Sequence, residues 1–191
     1  MMEVMPEKLE EYHEQYELVN GREVMMSPAR TEHNRIQGNL YGMIWNFLRG
    51  KRCVLFSEEK VVFDEDNHFV PDLMIVCDRS KIKENHVEGA PDLVIEILSI
   101  STRKRDFGIK KNVYEKYGVK EYWIVDPRAK SIQVYCRMDG KLELNNVYTV
   151  PYSQELEALT EEEREKLTLS LKVGLYDDFV IDVGEVFRDI E

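Results

Sequence analysis

Two acids of this chain sit where acids are costly. Asp72 lies in Val70-Pro71-Asp72-Leu73-Met74-Ile75-Val76 and Glu96 in Asp92-Leu93-Val94-Ile95-Glu96-Ile97-Leu98, both otherwise apolar runs. Such runs read as buried strands of an α/β sheet. A carboxylate inside one costs on the order of several kcal/mol unless it is paired, hydrogen-bonded or holding a metal. A third charge stands on a helix spanning about residues 106–117. With Asp106 at zero and about 100° per residue, the apolar residues Ile109, Val113, Tyr114 and Tyr117 centre near 20° and Lys110 falls near 40°. Lys110 therefore points at the sheet and needs an anion there, unless its stem carries the ammonium out to solvent. Two carboxylates and an ammonium at one place are the equipment of metal-dependent phosphodiester hydrolysis. Two strand-end carboxylates in structural hydrogen bonds are the plainer alternative.

Asp92 is a rival partner for Glu96. The two share a strand and a face, but four residues at roughly 3.3 Å each put them about 13 Å apart. Metal–oxygen distances are about 2.0–2.6 Å, so one ion cannot bridge them. Asp72 belongs to another strand and is free to lie beside Glu96. Asp92 is read as a strand-entry residue.

The elements that must position these groups are legible in outline. Residues 1–15 read as a short helical lead. Asn20-Gly21, between Tyr16-Glu17-Leu18-Val19 and Arg22-Glu23-Val24-Met25, is a hairpin signal, because both residues tolerate positive φ. Ile36, Leu40, Met43, Ile44, Phe47 and Leu48 recur at helical spacing over about 31–49. Residues 53–63 and 69–77 read as two strands, 79–90 as a charged loop and 91–98 as a central strand. Gly118 ends the Lys110 helix, and 121–126 is a further strand. Residues 131–138 and 141–150 form a hairpin around Asp139-Gly140. Residues 155–166 are an acidic helical run, and 179–183 a short strand or turn.

Length and charge bound the rest. A chain of 191 residues reads as a single domain over 1–191, its core about 12–150 and an acidic C-terminal extension over 151–191. The net charge of −11 is uneven: residues 1–20 carry −5, residues 155–191 carry −8, and the middle carries +2. The acidity belongs to the two ends and leaves a central nucleic-acid site open, without the basic footprint of a dedicated binder. Cys53, Cys77 and Cys136 are far apart, which reads as buried thiols in a reducing compartment. The N-terminus has no signal-peptide pattern, and no apolar stretch reaches membrane-span length. The expectation is a cytoplasmic protein with no membrane partner.

Pro71-Asp72, with Glu96 inside an apolar strand 24 residues later, resembles the PD-(D/E)xK nuclease superfamily. A longer match is more specific. YELVNGREVMMSP, His33 opening an apolar helix, VPDLMIV, and then APDLVIEILSISTRKRDFGIKKNVYEKYGVKEYWIVDP resemble the Uma-two family of "putative restriction endonucleases" over about 12–187. The resemblance implies a restriction-endonuclease-like α/β fold: a central mixed β-sheet flanked by helices, with an N-terminal hairpin and a C-terminal β extension. It implies a Mg²⁺ or Mn²⁺ site on Asp72 and Glu96, with the Ile97 carbonyl as a third ligand, and DNA as substrate. The superfamily lysine two residues after the second acid is replaced by Leu98. Lys110 matches the position to which some branches move it, and helical geometry independently turns it inward. Ile100 stands where the family usually has proline.

Around this trio the sequence leaves choices. Asp106 caps the helix start, which is favoured, or orients Lys110. Arg103, Lys104 and Arg105 touch a phosphate backbone or form a solvated loop. His33 packs, which is favoured, or caps, or faces the cleft. Glu17 reaches the site or pairs with a base. Tyr122 and Trp123 read as core. Two functions from different classes lead, a metal-dependent DNA endonuclease and a non-catalytic binding or assembly module on the same fold, with a metal-dependent hydrolase of another phosphate ester behind them. Symmetric duplex substrates favour a homodimer.

Overall fold

The computed structural model describes residues 16–165, 167 and 169–190. The helical lead expected over 1–15 lies outside the described residues. In chain order the elements are β1 (Tyr16–Val19), β2 (Arg22–Met25), α1 (Thr31–Leu48), β3 (Val54–Ser57), β4 (Val61–Asp64), β5 (Asn67–Phe69), β6 (Leu73–Val76), β7 (Val87–Glu88) and β8 (Leu93–Ile97). A helical segment comes next as α2 (Arg103–Arg105), a π-helical turn (Asp106–Lys110) and α3 (Lys111–Tyr117). The rest is β9 (Glu121–Asp126), β10 (Ser131–Met138), β11 (Lys141–Thr149), α4 (Ser153–Ala158), α5 (Glu161–Glu165), β12 (Ser170–Lys172), β13 (Val180–Asp182) and α6 (Val183–Val186).

The central sheet has the order β11-β10-β9-β8-β6-β3. It is mixed: β8 and β9 run parallel, and its other pairs are antiparallel. A second sheet has the order β2-β1-β5-β4-β7, and β12-β13 forms a small third one. Strand alternation divides the apolar side chains between two cores. Leu73, Ile75, Leu93, Ile95, Trp123 and Val125 face α1 and the C-terminal segment. Met74, Val76, Val94, Tyr122 and Ile124 face α3 and the second sheet. Helix α1 contributes Ile36, Leu40, Ile44 and Leu48, one residue per turn, to the first core.

Local chemistry explains the turns. Asn20 and Gly21 have φ of 49° and 73°, as a tight hairpin with right-handed strand twist requires. Gly118 ends α3 in the left-handed region, with φ of 94°.

The structure corrects three sequence expectations. The run 53–63 is two strands in different sheets, broken where Glu58 adopts φ of 51°. The charged loop 79–90 contains β7, which pairs parallel to β4. Cys53 and Cys77 are disulfide-bonded, and only Cys136 is free. The antiparallel register of β3 and β6 pairs Val54 with Val76, so the next step sets Cys53 opposite Cys77. Separation along the chain hid that proximity, and the inference of a reducing compartment from free thiols goes with it.

Candidate active site

The β6–β8 pairing brings the two acids together. Leu73 pairs with Ile95, so one further step of the antiparallel ladder sets Asp72 opposite Glu96. Both share the alternation parity of Met74 and Val94, and therefore face α3. Directly opposed side chains on one face have Cβ atoms about 4.5–5.5 Å apart. Both acids line a cleft of about 1150 Å³, together with Glu17, His33, Ile97 and Lys110.

Asp72 is held from two sides. The Ile97 N–H donates to its Oδ2 at 2.5 Å, and the His33 Nε2 lies 3.0 Å from its Oδ1. His33 thus contacts the acid across the cleft, and does not simply pack as favoured from sequence. Burial lowers the His33 pKa, but the hydrogen bond to Asp72 and nearby carboxylates outweigh it and leave it raised. One turn on, Gln37 donates to the backbone carbonyl of Asp72 at 3.1 Å and to the Ser57 Oγ at 3.0 Å. Sequence reasoning missed Gln37, although a spacing of four from His33 places both on one helix face.

Glu96 is 4% exposed and accepts two hydrogen bonds on one oxygen. The Lys110 Nζ donates to Oε1 at 2.9 Å and the Tyr114 hydroxyl at 2.6 Å. The Lys110 ammonium also lies 2.7 Å from the Glu17 Oε1 and 3.9 Å from the Asp106 Oδ1. Lys110 itself is 3% exposed, so it turns inward as the helical geometry requires, even though a π-helical turn interrupts the helix. Burial opposes its charge, but Glu96, Glu17 and Asp106 overcome this and raise its pKa. Burial raises the Glu96 pKa well above the carboxylate range; Lys110 opposes this, and the neighbouring acids reinforce it.

The remaining expected residues divide. Glu17 comes from the N-terminal hairpin, is anchored by the Val70 N–H at 3.0 Å, and stands 4.0 Å from the Arg105 Nη1. Asp106 is not a helix cap. The helix starts three residues earlier, where Ser99 and Thr102 exchange backbone-to-side-chain hydrogen bonds. Asp106 is 1% exposed, and neither of its oxygens has a well-formed hydrogen bond among the described residues, the Thr102 side chain being the polar neighbour that favours its charged form. Burial pushes its carboxyl up to about 6, against the pull of Lys110. Arg103 and Arg105 line the cleft, Arg103 pairing with Asp126. Lys104 is exposed and lies off the cleft wall. Tyr122 and Trp123 are fully buried core residues, as expected.

A family model, Uma2, described as "putative restriction endonuclease", matches residues 3–174. The chain belongs to the Uma2 family. Two Synechocystis proteins, both uncharacterized, are similar to this Uma2 chain. One is 27% identical over 68% of this chain and 70% of its own length; the other is 21% identical over 69% and 77%. Among solved structures, a "putative nuclease" of DUF820 from Anabaena variabilis matches with a TM-score of 0.69 at 20% identity. It covers 90% of this chain and 89% of its own. The Uma2 chain thus has the restriction-endonuclease-like fold expected of it, a mixed sheet flanked by helices.

Proposed function

We propose that this protein is a divalent-cation-dependent endonuclease that hydrolyses DNA phosphodiester bonds in the cleft around Asp72, Glu96 and Lys110. The observation that carries the reading is the convergence of those three groups at one wall of a single cleft. Family membership supports it.

The donor set fits Mg²⁺ or Mn²⁺. Mg²⁺ takes one or two carboxylates and fills its remaining positions with water and substrate phosphate. Asp72 and Glu96 supply two carboxylates, and each carboxylate oxygen has lone pairs beyond the bonds it already accepts. Among the described residues no group of three or more His, Cys, Asp or Glu is arranged to hold an ion, so the fit rests on these two carboxylates, with water and phosphate completing the shell. Asp72, Glu96 and the Ile97 carbonyl would hold the ion. When bound, it supplies Lewis acidity and makes water a better nucleophile near neutral pH.

The protein's own groups do the rest. His33 and the Ile97 N–H fix the Asp72 carboxylate. Lys110 offsets negative charge developing on the phosphate, where low dielectric strengthens its effect. Glu17 holds the Lys110 ammonium against Glu96. Arg103 and Arg105 on the cleft wall meet the phosphate backbone. Residues 1–191 act as one unit in this reading, with a homodimer matching a symmetric duplex. Among the described residues no helix is long and apolar enough to cross a membrane.

The test is cleavage of duplex and single-stranded DNA with Mg²⁺ or Mn²⁺, comparing the wild type with Asp72→Asn. We expect metal-dependent nicking that falls at least about 100-fold in the variant. Undiminished cleavage by Asp72→Asn overturns the assignment, and DNA binding without cleavage by the wild type favours the non-catalytic module.

A further inference from the structure

We infer that Tyr114 is a positioning residue for Glu96, presenting one carboxylate oxygen to the cation while holding the other inside the protein. The inference rests on the reading of Asp72 and Glu96 as the cation's ligands. Tyr114 lies four residues after Lys110, so both project from one helix face toward β8. Their donors meet on the same atom: the Lys110 ammonium and the Tyr114 hydroxyl both bond to Oε1. Among the described residues no donor reaches Oε2, and Glu96 lines the cleft. Two donors from one side set the rotation of the carboxylate and leave Oε2 for the ligand position beside Asp72.

Tyr114 is rigidly placed for this task. It is fully buried, and its ring stands 5.6 Å from Phe69, 5.0 Å from Tyr122 and 5.7 Å from Phe63. The surrounding rings therefore fix where the hydroxyl can be. Partners that orient metal ligands in this way typically change metal affinity by about 10–100-fold when removed.

The experiment measures Mn²⁺ binding to the full chain by calorimetry, alongside the thermal unfolding midpoint. Tyr114→Phe keeps the ring and its packing but deletes the donor. Tyr176→Phe is the control, since it removes a hydroxyl bonded to the Cys53 Sγ in the other core. We expect Tyr114→Phe to weaken Mn²⁺ about tenfold and Tyr176→Phe to leave it unchanged. We also expect 4-aminophenylalanine in place of Tyr114, which retains a donor, to recover most of the affinity. It serves as the second variant if the phenylalanine protein fails to fold. Wild-type Mn²⁺ affinity in Tyr114→Phe, with Asp72→Asn binding none, overturns the positioning role alone. Wild-type affinity in Asp72→Asn overturns the ligand assignment and the role with it.

Discussion

Strand β8 carries a buried acid near each end, and the two are treated oppositely. Asp92, just before the strand, gives one oxygen to the Cys77 N–H and the other to Lys120, each at 2.7 Å. The Lys120 side chain is 67% exposed, so water shares the load. Glu96, near the other end, meets a buried ammonium already shared with Glu17 and approached by Asp106. Burial is almost equal, 7% against 4%. What differs is the balance of charge: Asp92 has a partner of its own, whereas Glu17, Glu96 and Asp106 crowd one lysine, with Arg105, 4.0 Å from Glu17, as a second cation nearby. A fold alone does not require that excess of buried acid. In the proposed function a bound cation would balance it, and in that reading local charge imbalance marks the site better than burial does.

The largest effect should separate the two lysines. Lys110→Met leaves Glu17 and Glu96 buried without their shared cation, and should cost about 3–5 kcal/mol in urea unfolding. Lys120→Met at the exposed pair should cost under about 1 kcal/mol. Equal costs would dissolve the contrast.

An intermediate effect comes from Asp106, whose folded pKa of about 6 stands above the ordinary value of 3.8. Between those values the folded chain keeps a proton that the unfolded chain has lost. This contribution therefore favours folding at low pH and is lost as pH rises through 6, by at most about 3 kcal/mol. Asp106→Asn should flatten that dependence and unfold at higher urea than the wild type at pH 7.5. A wild-type profile in the variant would show that Asp106 titrates alike in both states.

The smallest effect belongs to Asp92→Asn. The amide oxygen still accepts from the Cys77 N–H, and only the charge facing exposed Lys120 is lost. We expect about 1 kcal/mol or less and unchanged DNA cleavage. A loss of cleavage would mean that the quiet end of β8 also takes part.

Much of this contrast is legible from local pattern. Apolar runs mark β6 and β8, spacing excludes Asp92 as a co-ligand, and a helical wheel turns Lys110 inward. Strand β9 stands at residues 121–126 as read from Glu-Tyr-Trp-Ile-Val-Asp. The illegible part depends on pairing between distant segments. An apolar run does not say which sheet it joins, so β3 and β4 merge into one strand on sequence alone. Nothing near Glu17 or His33 announces that they reach Lys110 and Asp72, because those contacts span 93 and 39 residues of chain. Asp106 reads as a cap because the polar connector before it carries no apolar periodicity, and the helix begins there regardless.

The π-helical turn over Asp106–Lys110 has a consequence for descent. A turn of this kind holds one residue more than the regular helix around it, while keeping the phase between the helical segments on either side. Because the turn absorbs that extra residue, loss of one residue within it would let the helix close into regular form with Lys110 and Tyr114 still in phase with Arg103. The side chains that the turn presents therefore matter more than its exact length. A chain that lost Gly108 or Ile109 from the turn would still aim the ammonium at Glu96.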